Sequence, residues 1–244
     1  MQSELNKHLE KIHEYQKTDF RWSNLRKIVK QSIVGKEILD AGCGTGHLTL
    51  DLLRADCDVT AIDYSDELVH FTRKTISDAQ YSANVFSCDL ISIKDLRLPS
   101  FDSIVCLDVI EHIEKDDIAL KNLNHLLKSG GTLILSVPAV KALYGQRDKK
   151  VGHFRRYDKK ELMKKIDDAG FTLGSIRYWN FIGIFPVILF EKLFQMPVDE
   201  TVRYSRNTLF SKLFHPVLNL WFLLIENNLP FPAGLTLIAI CRKK

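Results

Sequence analysis

Glycine stands at every second position of Gly42-Cys43-Gly44-Thr45-Gly46, directly after the apolar run Ile38-Leu39 and the acid Asp40. Glycines there let a chain turn sharply and bring its backbone against a ligand without a Cβ in the way. The amphipathic run that follows adds the unpaired N–H groups and positive dipole end of a helix start. A strand–turn–helix unit of this kind suits a nucleotide-type ligand. A dinucleotide fingerprint would read G-x-G-x-x-G, and its third position here is His47 rather than glycine.

Two further clusters carry chemistry. Asp108, Glu111 and His112 are spaced i, i+3, i+4, so on a helix two carboxylates and an imidazole share one face. An imidazole titrates near neutral pH, which makes His112 a candidate general base for a substrate hydroxyl. The second cluster lies in the basic stretch from Gly145 to Tyr157. His153 is another candidate base, and Arg155 and Arg156 offer paired donors to a phosphate or carboxylate. The same string, with Tyr157, also suits a structural turn whose arginines pair with Asp158 and Glu161.

Alternating strands and helices must position these groups. Apolar runs predict strands over Glu37–Asp40, Asp58–Ile62, Asn84–Cys88, Phe101–Leu107, Thr132–Val137, Phe171–Tyr178 and Gly234–Arg242. Helices are expected from about Gly46 to Arg54, from the N-cap Ser65 to Asp78, over Val109–Lys115, over Ile118–Leu127 and over Lys159–Ala169. Ser129-Gly130-Gly131 reads as a helix stop. Apolar residues Leu9, Ile12, Leu25, Ile28 and Val29 recur at near-helical spacing, predicting an N-terminal helical cap over residues 1–35. The alternation implies an α/β, doubly wound parallel sheet over 36–178 and 234–244, interrupted by an apolar insertion over 179–233.

The D-x-G-x-G-x-G string, Asp40 through Gly46, resembles motif I of the class I S-adenosylmethionine (SAM) methyltransferases. That resemblance implies a Rossmann-like seven-stranded sheet of order 3-2-1-4-5-7-6 with strand seven antiparallel. It places the insertion between strands six and seven over the active site. It implies SAM as cofactor and S-adenosylhomocysteine (SAH) as product, with Gly42, Cys43, Gly44 and Gly46 against the methionine portion and Asp40 orienting the loop. Asp63, beside Tyr64, matches the strand-two acid that accepts the ribose hydroxyls. Asp89, after Cys88, matches the acid for the adenine amino group, and Leu107 and Asp108 would receive the ammonium. Alone, each aspartate reads as a cap or a solvated turn; four in register at strand ends form one signal.

Asp108-Val-Ile-Glu-His112 resembles the E-x-x-E-H of ubiquinone-pathway O-methyltransferases, where the trio is associated with a divalent cation. Here aspartate shortens the first arm, and the expectation is a site shaped without a metal. Gly152-His-Phe-Arg-Arg-Tyr157 resembles methyltransferases of small-molecule and lipid-linked pathways. Together these imply methyl transfer, with oxygen favoured, to a small-molecule acceptor that His112 or His153 deprotonates. Glu111, Arg155, Arg156 and Tyr157 are its candidate binders. A SAM-binding scaffold without turnover and a nucleotide-dependent oxidoreductase are the rival classes.

Composition narrows the classes. The 244 residues are 45% hydrophobic and 26% charged, enough for a full core. The net charge of +4 suits an anionic acceptor or surface without requiring nucleic acid. No N/D-P-P-Y string follows strand four, and no nucleic-acid partner is expected. Cys43, Cys57, Cys88, Cys106 and Cys241 have no framework spacing, so free thiols in a reducing, cytoplasmic setting are expected. The polar start Met1-Gln2-Ser3-Glu4 lacks the apolar core of a secretory signal.

The insertion is rich in aromatics: Trp179, Phe181, Phe185, Phe190, Phe210, Phe214, Trp221 and Phe222. Its apolar runs fall short of the roughly 20 residues of a membrane span and are broken by Glu191, Lys192, Lys212 and His215. Core helices, a homodimer contact, an apolar acceptor pocket and a surface resting on a membrane all remain open.

Overall fold

Strand parity builds the core. In the computed structural model, which describes residues 2–193 and 216–244, strands β1 (Glu37–Ala41), β2 (Asp58–Asp63), β3 (Asn84–Ser87), β4 (Phe101–Leu107), β5 (Leu127–Pro138), β6 (Phe171–Trp179) and β7 (Thr236–Lys243) form one sheet. Its order is β3-β2-β1-β4-β5-β7-β6. β1 runs parallel to β2 and β4, while β7 is antiparallel to both β5 and β6. Leu39, Ile104, Leu133 and Leu135 point to one face, where Leu120, Leu123, Leu162 and Ile166 cover them. Ile38, Val59, Val105 and Ile134 point to the other, under Val29, Leu48 and Leu52. This is the period-two alternation of a sheet covered on both sides.

Helices α1 (Gln2–Thr18), α2 (Phe20–Ser32), α3 (His47–Leu53), α4 (Asp66–Asp78), α5 (Asp116–Leu126), α6 (Gln146–Lys150) and α7 (Lys159–Asp168) connect and cover the strands. The Ser65 hydroxyl caps α4 by accepting from Leu68 N–H at 3.2 Å, as its sequence position predicts. Ser103 Oγ clamps the chain ahead of β1, donating to Val34 O and accepting from Val34 N–H, both at 2.8 Å. All five cysteines are free, and Cys43, Cys106 and Cys241 are buried.

Three expectations change. The helix over Val109–Lys115 is a single 3₁₀ turn, Ile110–His112. The chain leaves β4 with Asp108 at φ +53° and is extended again at Ile113, leaving too few residues to nucleate an α-helix. Ser129-Gly130-Gly131 does not stop a helix. It is an irregular stretch inside β5, where the pairing jumps from Phe101–Leu127 to Ser103–Thr132. The basic stretch is not all loop, since it contains α6.

The described parts of the insertion pack chiefly on α2. Trp179 and Phe222 are fully buried with Leu25, Ile28 and Ile238. Phe185, Ile188, Leu189, Phe190, Leu223 and Leu224 are exposed. Phe210, Lys212, Phe214, His215 and the side chains of Glu191 and Lys192 lie outside the described residues.

Candidate active site

The carboxyl ends of β1, β2, β3 and β4 open on one cavity of about 880 Å³. It lies where the strand order reverses, between β1 and β4, the place where open α/β sheets bind ligands. Gly42, Gly44, Asp63, Tyr64, Cys88, Asp89, Leu107, Asp108 and His112 all line it. Successive strand ends thus bring most of the expected cofactor residues together.

Local chemistry explains the shape of this wall. Gly42 has φ +92°, and a Cβ there would stand 2.2 Å from Val109 Cγ2, so only glycine fits. Asp63 ties two turns: its carboxylate accepts from Gly44 N–H at 2.9 Å and from Ser65 N–H at 3.1 Å. Each oxygen keeps lone-pair capacity toward the cavity. Asp89 accepts from Ile91 N–H at 2.9 Å. Tyr64 is 80% exposed at the rim.

Asp40, Cys43 and Gly46 line neither this cavity nor the smaller one described below; they support the loop from beneath. Asp40 is buried and accepts from the Thr49 hydroxyl at 2.6 Å; burial pushes its carboxyl up to about 6. The Cys43 thiol packs 3.7 Å from Thr72 Oγ. Gly46 begins α3 with φ +83°.

Helices α1 and α2 close the far side of this cavity. Gln16 and Trp22 line the cavity, and Gln16 accepts from the Thr45 hydroxyl at 2.7 Å. His47 stacks on His13 at 3.9 Å between ring centroids, and burial holds its imidazole down at about 4. His47 is therefore a neutral packing residue that docks α1 on the glycine loop.

A second, smaller cavity of about 200 Å³ adjoins the first through Asp108. Arg21, Glu111, Arg147, Asp148, His153, Arg156, Asn180 and Val187 are among its walls. Asp108, Glu111 and His112 do not share a helix face, because the helix is absent. Asp108 accepts from the Ser136 hydroxyl at 2.8 Å and lies 3.6 Å from Arg21. Glu111 is fully buried, with no hydrogen-bond partner on either carboxylate oxygen. Burial, reinforced by Asp108, raises its carboxyl well above the usual range. His112 faces the large cavity, and burial followed by its neighbour His153 lowers its imidazole.

His153 belongs to a network the sequence did not reveal. Its Nδ1 lies 2.9 Å from Asp148 Oδ1, and its Nε2 lies 3.9 Å from Glu111 Oε1. Asp148 also accepts from Arg156 Nε at 2.9 Å and from Gly145 N–H at 3.0 Å. Burial opposes its charge, but the bonds from His153 and Arg156 win and hold Asp148 below the usual carboxylate range. Asp148 sits in the run Arg147–Lys150 and looks like a solvated charge; a lone acid among bases was the available signal. Donor atoms of Glu111, His112 and His153 lie within 4.8 Å of one another, with Asp108 outside the group.

The expected anion binders have protein partners. Arg156 is 6% exposed and clamped on Asp148. Arg155 donates to Glu114 O at 2.7 Å and pairs with Asp116 at 3.2 Å. Tyr157 is buried and donates to Asp116 at 2.7 Å. Arg155 and Tyr157 line neither cavity. In place of an anion clamp, the Arg-Arg-Tyr string braces the loop that carries His153. The insertion, expected over the whole site, reaches only the small cavity among the described residues, through Asn180 and Val187.

The sheet order with antiparallel β7, and a ligand cavity built from four successive strand ends, define the class I methyltransferase architecture. Residues 39–133 match the family model described as a methyltransferase domain. A ubiquinone biosynthesis O-methyltransferase from Coxiella burnetii is 33% identical over 112 residues, covering 45% of this chain and 47% of that protein. The chain thus spans about half the length of the curated relatives it matches.

Among solved structures, magnesium protoporphyrin IX methyltransferase from Synechocystis PCC 6803 with bound SAH has TM-score 0.54 at 17% identity, covering 94% of this chain and 83% of that one. The [4+2]-cyclase SpnF has TM-score 0.60 at 20% identity, covering 90% and 80%. At such identities the likeness is one of fold, and the cyclase's name shows that the fold hosts more than one chemistry.

Proposed function

We propose that this protein transfers a methyl group from SAM to a hydroxyl of a small-molecule acceptor. The observation that carries this is the single cavity lined by Gly42, Gly44, Asp63, Asp89, Leu107 and Asp108. Its volume of about 880 Å³ suits a nucleoside-sized ligand. Asp63 and Asp89 offer acceptor-only groups for ribose hydroxyls and an adenine amine, and Tyr64 offers a ring face at the rim. The glycine backbone admits the methionine portion where any Cβ would intrude.

Bound there, SAM supplies a methyl group already activated by its sulfonium. The chain's task is to hold an acceptor oxygen in line and to take its proton; positioning alone supplies much of the acceleration. His112 on the cavity wall and His153 behind it are the bases, and burial keeps His112 neutral and ready to accept. Exposed Phe185, Ile188 and Leu189 continue from Val187 at the small cavity. They suit an acceptor with an apolar tail, presented at a membrane surface or a homodimer contact. No helix among the described residues is long and apolar enough to cross a membrane.

Calorimetry with SAM and SAH, with NAD as control, tests the cofactor. Transfer of radiolabelled methyl to a panel of phenolic, apolar and phosphorylated acceptors tests the activity. SAM binding without transfer to any of them returns the scaffold class, and NAD binding in place of SAM overturns the proposal.

A further inference from the structure

Residues 184–190 and 216–226 are helical, and their pattern is inverted. A helix on a protein surface turns its apolar stripe to the core and its charges to water. Here Phe185, Ile188, Leu189, Val217, Leu220 and Leu224 are each 42–63% exposed, while Glu226, the one ionisable residue of the two stretches, is fully buried. Its carboxylate accepts from Phe181 N–H at 2.7 Å and from Trp221 Nε1–H at 2.8 Å. Asn219 accepts from Asn24 Nδ2 at 3.0 Å. Polar groups turn inward and apolar ones outward. A single exposed leucine is ordinary, but a charge-free cluster of large apolar side chains marks an interaction surface.

The two stretches adjoin. The Phe181 ring meets Phe185 edge-on, with centroids 5.4 Å apart, and stacks on Phe231 at 4.9 Å. Phe231 in turn lies 6.3 Å from Trp221. Rings therefore run from one stretch to the other. Trp221 is half-buried and its N–H is already bonded, so the ring can meet lipid without an unpaired donor.

Charge decides the occupant. Val187, in the first stretch, shares the walls of the small cavity with Val151, itself 42% exposed. Lys149 and Lys150 stand exposed immediately before Val151, which gives the apolar face a basic edge. Two copies joined about a twofold axis would bring the lysines of both to one contact, with no exposed acid on either stretch to offset them. Anionic headgroups offset the lysines, and the acyl boundary takes the apolar side chains. The face lies on a bilayer rather than across it, since no helix among the described residues is long and apolar enough to span one.

We propose that this face docks the protein on an anionic lipid bilayer, with its exposed apolar side chains at the headgroup–acyl boundary and Lys149 and Lys150 on the headgroups. The docking is independent of which molecule receives a methyl group.

The test floats the full chain with vesicles of phosphatidylcholine, alone or mixed equally with phosphatidylglycerol, and reads tryptophan quenching by bromine-labelled acyl chains. The mixed vesicles should carry the protein, and added salt should release it. Trp221→Phe should remove most of the quenching, because Trp179 is fully buried. Leu220→Glu combined with Leu224→Glu should weaken binding ~30-fold or more. Lys149→Ser combined with Lys150→Ser should cost ~10–30-fold on the mixed vesicles and nothing on phosphatidylcholine alone. SAH affinity should match wild type in every variant, because none of these side chains lines the large cavity.

Flotation with neither vesicle, equal flotation with both, or quenching that survives Trp221→Phe overturns the proposal. So does a wild-type dimer that the leucine variant dissociates without altering vesicle binding; the face then belongs to a second copy. If the leucine variant fails to bind SAH it has misfolded, and the lysine variant and the quenching decide. Wild-type protein that binds the mixed vesicles but not SAH keeps the docking face and removes the proposed function.

Discussion

The two sides of the cleft are built from different materials. The side expected to hold the cofactor is a backbone surface: glycines, strand ends and turn N–H groups, with carboxylates tying one turn to the next. The side expected to hold the acceptor rests on side chains: Asp148 bonded to Arg156 and to the half-buried His153, buried Glu111 beside them, and the Tyr157–Asp116 bond across 41 residues of sequence. Backbone surfaces tolerate change in the surrounding side chains but not the addition of a Cβ. A side-chain network can be retuned one residue at a time. A shared cofactor side with a variable acceptor side is what a fold hosting several chemistries requires.

The comparison is sharpest at His153. His153→Ala should leave SAM affinity unchanged and lower the transfer rate ~10²–10⁴-fold, the usual range for a general base. Single-turnover transfer beside calorimetry reads both. An equal loss in the two would erase the boundary between the sides. On the other side, Gly42→Ala forces a Cβ against Val109, 2.2 Å from Cγ2, at φ +92°. Overpacking and backbone strain together cost about 2–4 kcal/mol, so SAM affinity should fall by ~30-fold or more with a lowered melting temperature. Gly44, whose added Cβ would meet no protein atom within 4 Å, gives the comparison: any loss in Gly44→Ala comes from its φ of +54° and from the ligand that the Cβ would meet in the cavity.

The backbone side was legible because its constraints are written in residue types. Glycine at alternate positions, an acid at each strand end and period-two apolar runs each report a local requirement, and the sheet order follows from the family likeness they trigger. The side-chain network was not legible for the same reason in reverse. His153 and Asp148 are five residues apart in a basic stretch, and nothing in that spacing says that the acid is buried. Arg155, Arg156 and Tyr157 have the right types for an anion site, and only folding reveals that Asp116 and Asp148 already occupy them. The Asp108–His112 spacing misled because it presumed a helix that a left-handed Asp108 and an extended Ile113 exclude.

Asp63 lies on the backbone side but acts through its side chain. Asp63→Ala removes the acceptor of two loop N–H groups and the group proposed for the ribose. Charge-assisted hydrogen bonds are worth about 1.5–3 kcal/mol, so SAM affinity should drop ~10–100-fold. Unchanged affinity would mean that the carboxylate serves only the loop, and that the register of the strand-end acids is wrong.

Asp40 separates support from contact within the cofactor side. Burial raises its folded carboxyl to about 6, above the unfolded value near 3.8. The folded state therefore binds more protons than the unfolded one between those values, and stability falls as pH rises through that window. Above it, the buried charge costs on the order of 2–3 kcal/mol. Asp40→Asn keeps an oxygen for the Thr49 hydroxyl, which now donates to Asp40 Oδ2 at 2.6 Å, and removes the charge. The variant should melt roughly 4–12 °C higher than wild type at pH 7.5, and the two curves should converge near pH 4. SAM affinity should stay within ~3-fold, because Asp40 does not line the cavity. A variant less stable at pH 7.5 would show that the ionised carboxylate holds the glycine loop, and Asp40 would then count with Asp63 as part of the binding surface rather than its foundation.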